Sequence, residues 1–174
     1  MSQGRPSPTA PLFHIVLHQP EIPNNTGNIG RTCVAVGAAL HLIRPLGFST
    51  SEKACRRAGL DYWPRLDVQE HDSWTDYEIA TPDARRWLFS TKARRTIFDA
   101  QLRRGDHLIF GKETAGLPDE LLKPDPERVL GLPMAAGERS LNVATAVCAA
   151  VYEGIRQLLI RTEVSLSGDG RLVP

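Results

Sequence analysis

Short apolar runs alternate along the chain with segments in which apolar side chains recur every three or four positions. The first pattern is typical of buried strands, and the second of helices that pack one face on a sheet. The apolar runs predict strands at Phe13–His18, Leu40–Arg44, Leu66–Gln69, Arg86–Ser90, His107–Gly111 and Arg128–Leu132. The other segments predict helices at Thr26–Val36, Glu52–Ala58, Ser73–Ile79, Pro118–Leu122 and Asn142–Leu159.

The alternation of strands and helices predicts an α/β fold, a mainly parallel sheet flanked by helices. The last predicted helix is apolar around much of its girth, so we expect both the core and a partner subunit to cover it. Residues 1–11 and 162–174 are rich in small residues, glycine and proline, and they predict flexible tails. One domain, residues 12–161, lies between them.

Composition and charge narrow the classes of function. The chain has 174 residues and a formal net charge of +1, which disfavours nucleic-acid binding through bulk charge alone. Paired arginines still supply local positive charge. The pairs are Arg56-Arg57, Arg85-Arg86, Arg94-Arg95 and Arg103-Arg104.

We expect a cytoplasmic protein without membrane contact, because no segment resembles a membrane span or a signal peptide.

The cysteines and histidines do not predict a metal site. Three cysteines and five histidines are scattered along the chain without the spacing of zinc ligands. Cys33, Cys55 and Cys148 are expected to be buried, inert thiols. We therefore expect no metal.

A polar segment, Asn24–Arg31, joins the first predicted strand to the first predicted helix. Such a junction lies at the carboxyl edge of a parallel sheet, where α/β proteins bind ligands. Arg31 follows the helix start by about one turn and suits a phosphate or another anion. This position makes Arg31 a candidate for chemistry as well as for packing.

Two further loops also connect a strand to a helix. In the loop Gly111–Pro118, glycines permit a tight turn or close approach to a ligand, and Glu113 can accept hydrogen bonds. An ordinary glycine-rich turn explains this loop equally well. In the second loop, residues 132–142, both Ser140 and Asn142 suit the N-cap of the last helix. A cap explains only one of them.

The three loops together point to a family. The GxGxxG, GxxxxGK[ST] and GxSxG fingerprints of common nucleotide-binding folds and hydrolases are missing. Taken in order, residues 25–31, 111–118 and 132–142 instead resemble the three motifs of the SPOUT superfamily of RNA methyltransferases. The small size and the segment Arg56–Tyr62 are similar to members that methylate the wobble cytidine or uridine of leucine tRNAs.

The resemblance implies a fold, a cofactor and partners. The C-terminal part of the domain would be threaded into a trefoil knot, a rare exception among protein folds. S-adenosylmethionine would bind bent in that knot as the methyl donor and leave as S-adenosylhomocysteine. The protein would be a homodimer in which each subunit completes the other's active site. The RNA partner would be the anticodon stem-loop of a tRNA.

The resemblance also implies roles for individual residues. Because arginine stays protonated in proteins, we expect Arg31 to bind a phosphate and orient the ribose 2′-hydroxyl rather than remove its proton. Glu113 would hold either RNA or the cofactor. The implied catalytic residues are Arg31, Ser140 and Asn142. The implied cofactor contacts are Phe89, Thr91, Gly111, Glu113, Leu132, Met134, Ser140 and Leu141. The implied RNA contacts are Asn25, Arg31, Arg56, Arg57, Lys92, Arg94 and Arg95.

Some positions depart from the family pattern, and two other functions stay open. Ala115 stands where relatives often carry arginine, Ala93 where glycine is common, and residues 143–145 differ from the usual third motif. The same chemistry on another tRNA position or on ribosomal RNA is one alternative. A non-catalytic, knotted RNA-binding protein is the other, and the intact motif residues disfavour it.

Overall fold

A sheet of seven parallel strands forms the centre of the computed structural model, which describes residues 10–51 and 59–173. All the ladders within this sheet are parallel, which confirms the predicted mainly parallel α/β fold. The strand order is β3-β2-β1-β6-β4-β7-β5. The strands are β1 His14–His18, β2 Ala39–Ile43, β3 Val68–His71, β4 Arg86–Phe89, β5 Arg95–Thr96, β6 His107–Phe110 and β7 Val129–Gly131.

Helices cover both faces of the sheet. One face carries the larger core, where Ile29, Cys33 and Val151 pack against buried strand residues such as Leu40 and Leu108. The opposite face carries a smaller core around Tyr77. Strands covered on both faces are buried along their whole length, as β2 and β6 are. The helices are α1 Pro23–Val36, α2 Trp74–Ala80, α3 Asp119–Leu122 and α4 Val143–Ile160.

The predicted elements agree with the structure except at the edges of the sheet. Every predicted strand overlaps an observed one, but β3 begins two residues later than predicted, because Leu66 ends a 3₁₀ turn over Trp63–Arg65. The two-residue strand β5 is too short to give a sequence pattern. The predicted helix Glu52–Ala58 lies outside the described residues, as does most of the predicted N-terminal tail.

The last helix, α4, runs beside α1 over the sheet. Its 18 residues have a mean hydropathy of 1.4, enough by length and composition to cross a membrane, and 39% of the helix is buried. A core helix meets the same criterion. Gly154 allows close packing, because a Cβ there would lie 2.6 Å from the ring of the buried Phe13.

The segment after α4 forms a short hairpin. Strands β8 Ser165–Leu166 and β9 Leu172–Val173 pair in antiparallel fashion. Val164, just before them, is buried against the main core. The composition of this segment predicted a flexible tail, and the structure has regular hydrogen bonding there instead. Composition alone does not reveal that a single buried residue, Val164, fixes the start of the hairpin to the core.

The loop after β6 closes on itself through two glycines. The backbone N–H of Gly116 donates to the carbonyl of Lys112 over 2.8 Å, and Gly116 has a φ of +70°. A Cβ on Gly111 would lie 2.0 Å from the carbonyl carbon of Gly116 and 2.2 Å from the nitrogen of Leu117. Only glycine at position 111 lets the two backbone segments approach this closely.

This geometry predicts unequal effects of alanine at the two glycines. Gly111→Ala forces backbone against backbone and should lower the free energy of unfolding by about 3 kcal/mol. Gly116→Ala is the matched control, because its Cβ meets nothing within 4 Å. That variant should lose about 1–2 kcal/mol from its left-handed φ alone. Urea denaturation measures both, and equal losses would contradict the close approach at Gly111.

Candidate active site

A cavity of about 540 Å³ lies at the carboxyl edge of the sheet. The loops that follow β4, β6 and β7 border it, together with the start of α4. This is where parallel α/β sheets bind ligands, because the loops of neighbouring strands diverge there. Every residue implied as a cofactor contact lines it: Phe89, Thr91, Gly111, Glu113, Leu132, Met134, Ser140 and Leu141.

The floor of the cavity is aromatic. Phe89 ends β4 and Phe110 ends β6, and the two residues are direct partners in the parallel ladder. Their rings stack with centroids 4.5 Å apart and planes 11° apart. Leu130 of β7 lines the same cavity. Phe110 was not among the predicted contacts, although its position at the end of a buried strand could have suggested it.

A hydrogen-bond relay joins the three loops that the sequence singled out. Nδ2 of Asn142 donates to Oδ1 of Asn25 over 2.9 Å. Nδ2 of Asn25 then donates to Oε1 of Glu113 over 3.0 Å. One residue from each loop takes part, so the relay fixes the three loops relative to one another around the cavity.

Glu113 connects its loop to the start of α1. Its carboxylate accepts hydrogen bonds from the backbone N–H groups of Glu21 over 2.9 Å and of Ile22 over 3.2 Å. Ile22 is the N-cap of α1 and supplies no side-chain cap, so Glu113 places a negative charge where the helix dipole favours one. In return, Oγ1 of Thr114 donates to the carboxylate of Glu21 over 2.8 Å.

These bonds keep Glu113 ionised. Partial burial acts to raise the pKa of Glu113, but the hydrogen bonds from Asn25 and from backbone N–H groups outweigh it, so the pKa lies below its usual range. Both carboxylate oxygens already have protein donors, although Glu113 still lines the cavity. The contact between Glu21 and Thr114 gave no sequence signal, because the two residues are 93 positions apart along the chain.

Asn142 is the N-cap of α4, and Asn25 lies inside the relay. Oδ1 of Asn142 accepts from the backbone N–H groups of Ala144 and Thr145, over 2.9 and 3.3 Å. The cap expected at this loop is therefore Asn142, while Ser140 is exposed at the mouth of the cavity. Asn25, implied as an RNA contact, is instead buried with both ends of its amide engaged.

Arg31 lies in a different cavity from the other implied catalytic residues. This second cavity, of about 550 Å³, borders the first turns of α1 and does not include Ser140 or Asn142. The guanidinium lies over the ring of Tyr62 at 4.5 Å and 3.9 Å from the carboxylate of Asp61. The single chain thus separates Arg31 from the cofactor contacts that the resemblance implied beside it.

Tyr62, the last residue of the segment Arg56–Tyr62, has a structural role beside Arg31. Its ring supports the Arg31 guanidinium, and its hydroxyl donates to the carbonyl of Gly27 in α1. Tyr62 is 2% exposed, so the platform under Arg31 is fixed by packing. The sequence had marked this segment only by its resemblance, and the contact with Arg31 is a role it did not predict.

The remaining residues implied in RNA binding differ in their surroundings. Lys92 pairs with Asp119 over 2.8 Å and also lines the first cavity. The Arg95 guanidinium donates to the carbonyls of Glu127 and Asp99 over 2.7 and 2.9 Å, which ties it to the edge of the sheet. Arg94 is exposed. Arg56 and Arg57 lie outside the described residues.

The relay predicts different effects of two similar substitutions. Asn25→Asp places a carboxylate oxygen against Glu113 at the 3.0 Å contact and removes a buried donor. The free energy of unfolding should therefore fall by about 2–3 kcal/mol. Asn142→Asp is the control, because it keeps the N-cap and adds a favourable charge at a helix start. Its free energy of unfolding should fall by about 1 kcal/mol or less. An equal or larger loss for Asn142→Asp in urea denaturation would contradict the relay.

Comparison with known proteins agrees with this geometry. A profile of the SpoU rRNA Methylase family matches residues 12–152. The tRNA (cytidine(34)-2′-O)-methyltransferase of Saccharophagus degradans is 45% identical over 148 residues, covering 84% of this chain and 96% of the relative. A solved structure that gives "structural insights into the 2-OH methylation of C/U34 on tRNA" is 47% identical. Its TM-score is 0.80, over 89% of this chain and 100% of that one.

A more distant structure shares the fold. The AdoMet-bound rRNA methyltransferase of Sinorhizobium meliloti has a TM-score of 0.74 at 22% identity, over 87% of this chain and 59% of that one. The resemblance that the three loops predicted is confirmed by the profile and by the relatives. The chain belongs to the SpoU rRNA Methylase family.

Proposed function

We propose that this protein transfers a methyl group from S-adenosylmethionine to the ribose 2′-hydroxyl of the wobble cytidine or uridine of a tRNA. The observation that carries the proposal is the single cavity in which all the implied cofactor contacts meet. Relatives named for methylation of nucleotide 34 of tRNA support this target. Leucine tRNAs are the specific substrate that the segment Arg56–Tyr62 suggests.

The residues of the first cavity fit S-adenosylmethionine. This cofactor supplies a methyl group already activated by a positively charged sulfur. The ionised Glu113 carboxylate on the wall suits that positive charge, and the stacked Phe89 and Phe110 rings give an apolar floor. The tight turn at Gly111 brings backbone polar groups to the edge of the cavity. Phe89, Leu132 and Met134 would surround the cofactor and exclude water.

Arg31 would bind a phosphate next to the reacting ribose. Its present partner, Asp61, is an exposed carboxylate at 3.9 Å, and such surface pairs contribute about 0–1 kcal/mol. Exchanging this partner for an RNA phosphate therefore costs little. Tyr62 holds the guanidinium in place during the exchange. The proton of the hydroxyl would pass to this phosphate or to water, because Arg31 stays charged.

A homodimer would bring the two cavities together. In one chain Arg31 and the cofactor contacts lie in separate cavities, so a second subunit would supply Arg31 to the RNA phosphate beside the bound cofactor. The outer side of α4 offers a surface for this contact. It carries exposed residues three or four positions apart, which places them on one stripe. They are Thr145, Ala149, Tyr152, Arg156 and Ile160.

The order of strands supports the proposed trefoil knot. Strand β7 lies between β4 and β5, although both precede it in the chain. Residues 90–94 connect β4 to β5 directly. Strand β7 therefore inserts between two strands that this short connection already joins at one end. Threading the following segment through that loop gives the knot. We place the enzyme in the cytoplasm with its tRNA substrate, and residues 12–161 form its catalytic domain.

The function is tested by labelling and by substitution of Arg31. Purified protein, labelled S-adenosylmethionine and total tRNA from a strain lacking the gene should give label in the wobble ribose of leucine tRNAs. Arg31→Lys should lower turnover about 100-fold, because a misplaced phosphate disrupts alignment. Cofactor affinity should not change, since Arg31 does not line the first cavity.

The control is Arg171→Lys, which changes an arginine in the C-terminal hairpin that borders neither cavity. It should keep full activity. Label at another tRNA position or in ribosomal RNA would refute the wobble target but keep the chemistry. Normal turnover of Arg31→Lys would refute a specific role of the guanidinium.

The proposed dimer is tested on the outer stripe of α4. A double variant, Tyr152→Glu with Ile160→Glu, places charges on side chains that are 55% and 67% exposed, so the fold of each chain should survive. It should be monomeric in sedimentation experiments and inactive in methylation. Ile79→Glu, on α2 and 72% exposed, is the matched control and should stay dimeric and active. An active monomer would show that one chain suffices.

A further inference from the structure

Four of the five histidines of the chain gather beneath α2, on the sheet face opposite to α1 and α4. They come from four adjacent strands: His71 from β3, His41 from β2, His14 from β1 and His107 from β6. None of them lines either cavity of the proposed methyl-transfer site. These histidines show no metal-ligand spacing along the chain, but the strand order brings three of them together in space.

The imidazole rings contact one another directly. Nδ1 of His14 lies 2.9 Å from Nε2 of His41, and Nδ1 of His41 lies 2.9 Å from Nε2 of His71. Nδ1 of His107 lies 2.7 Å from the hydroxyl of Tyr77. The rings of His14 and His107 stack with centroids 4.2 Å apart. Three ligand atoms, one each from His14, His41 and His107, lie within 4.8 Å of one another.

The pKa values of these rings lie below the usual range of histidine. Burial, and then neighbouring histidines, lower the pKa of His41 and of His107 to about 3, with Arg86 adding to the effect at His107. Burial also lowers the pKa of His14, and Asp67 opposes this. Neutral imidazole has a free lone pair at neutral pH, so a metal ion does not compete with a proton.

Neighbouring groups already orient two of the three rings. Histidine ligands usually use their second nitrogen in a hydrogen bond that fixes the ring. His41 has such a bond through Nδ1 to His71, and His107 has one through Nδ1 to Tyr77. The Nε2 atoms of His41 and His107 are then the ligand atoms. This arrangement resembles the supporting shell of a histidine metal site.

His14 is the most accessible of the grouped rings. It is half-buried, whereas His41 and His107 are 1% and 5% exposed. Zinc–nitrogen bonds are about 2.0–2.1 Å long, so the spacing of the three ligand atoms, now within 4.8 Å of one another, must adjust before they share an ion. The half-buried His14 ring has room for this adjustment, and its accessible side gives the ion a way in.

We propose that His14, His41 and His107 form a binding site for one divalent transition-metal ion, zinc foremost, apart from the methyl-transfer cavity. Three imidazoles without a carboxylate favour zinc, cobalt or nickel over magnesium or calcium. Water completes a four-coordinate geometry. The bound ion links three neighbouring strands, β1, β2 and β6, and so stabilises the sheet.

The test measures metal binding without tRNA or cofactor. Full-length protein is freed of metal with a chelator and titrated with zinc chloride by calorimetry. We expect one ion per chain and a higher melting temperature, because the ion binds only the folded state. His14→Asn should weaken binding about 100-fold, by loss of one of three ligands. His18→Asn, a second histidine on β1 outside the group, is the matched control and should bind normally.

Binding of cobalt(II) can be followed by visible absorption and needs no variant. The cobalt-bound wild-type chain should show the visible absorption bands of a low-coordinate site with nitrogen ligands. Bands from thiolate ligands would assign binding to cysteine and overturn the proposal. So would the absence of stoichiometric binding, or equal affinity of the wild-type and folded His14→Asn proteins. Because methylation is not measured, these outcomes are independent of the proposed function.

Discussion

The relay from Asn142 through Asn25 to Glu113 is the constraint on which the candidate active site depends. Its direction is fixed at both ends, because Asn142 caps α4 and Glu113 accepts from the start of α1. Asn25 between them can then present its amide in only one orientation. A buried amide that loses a partner costs about 1–3 kcal/mol, so the loops hold one another in place. The shape of the cofactor cavity follows from this mutual support.

The start of α1 serves two cavities at once. On one side it meets Glu113 and the cavity with the aromatic floor, and on the other it carries Arg31 above Tyr62. The first cavity holds the implied cofactor contacts, and the second holds Arg31. This separation is the structural observation on which the proposed homodimer rests.

The sequence predicted features that depend on local patterns. Buried strands, the N-cap of α4 and the loops at the sheet edge follow from periodicity and from residue types at strand and helix ends. It did not predict the Glu21–Thr114 contact, the platform of Tyr62 or the histidine group. Each of these joins side chains from elements distant in the chain, and only the strand order brings them together. The separate cavity of Arg31 was missed for the same reason.

The length of chain between the members of the relay has a consequence for protein synthesis. Asn142 is 117 residues from Asn25, and Glu113 is 88 residues from it. Contacts this distant form only after the intervening chain exists and has folded. A nascent chain can build most of the sheet while its last helix is still inside the ribosome, yet it lacks the residue that closes the cavity. The cavity is therefore completed only after the chain has been synthesised as far as α4.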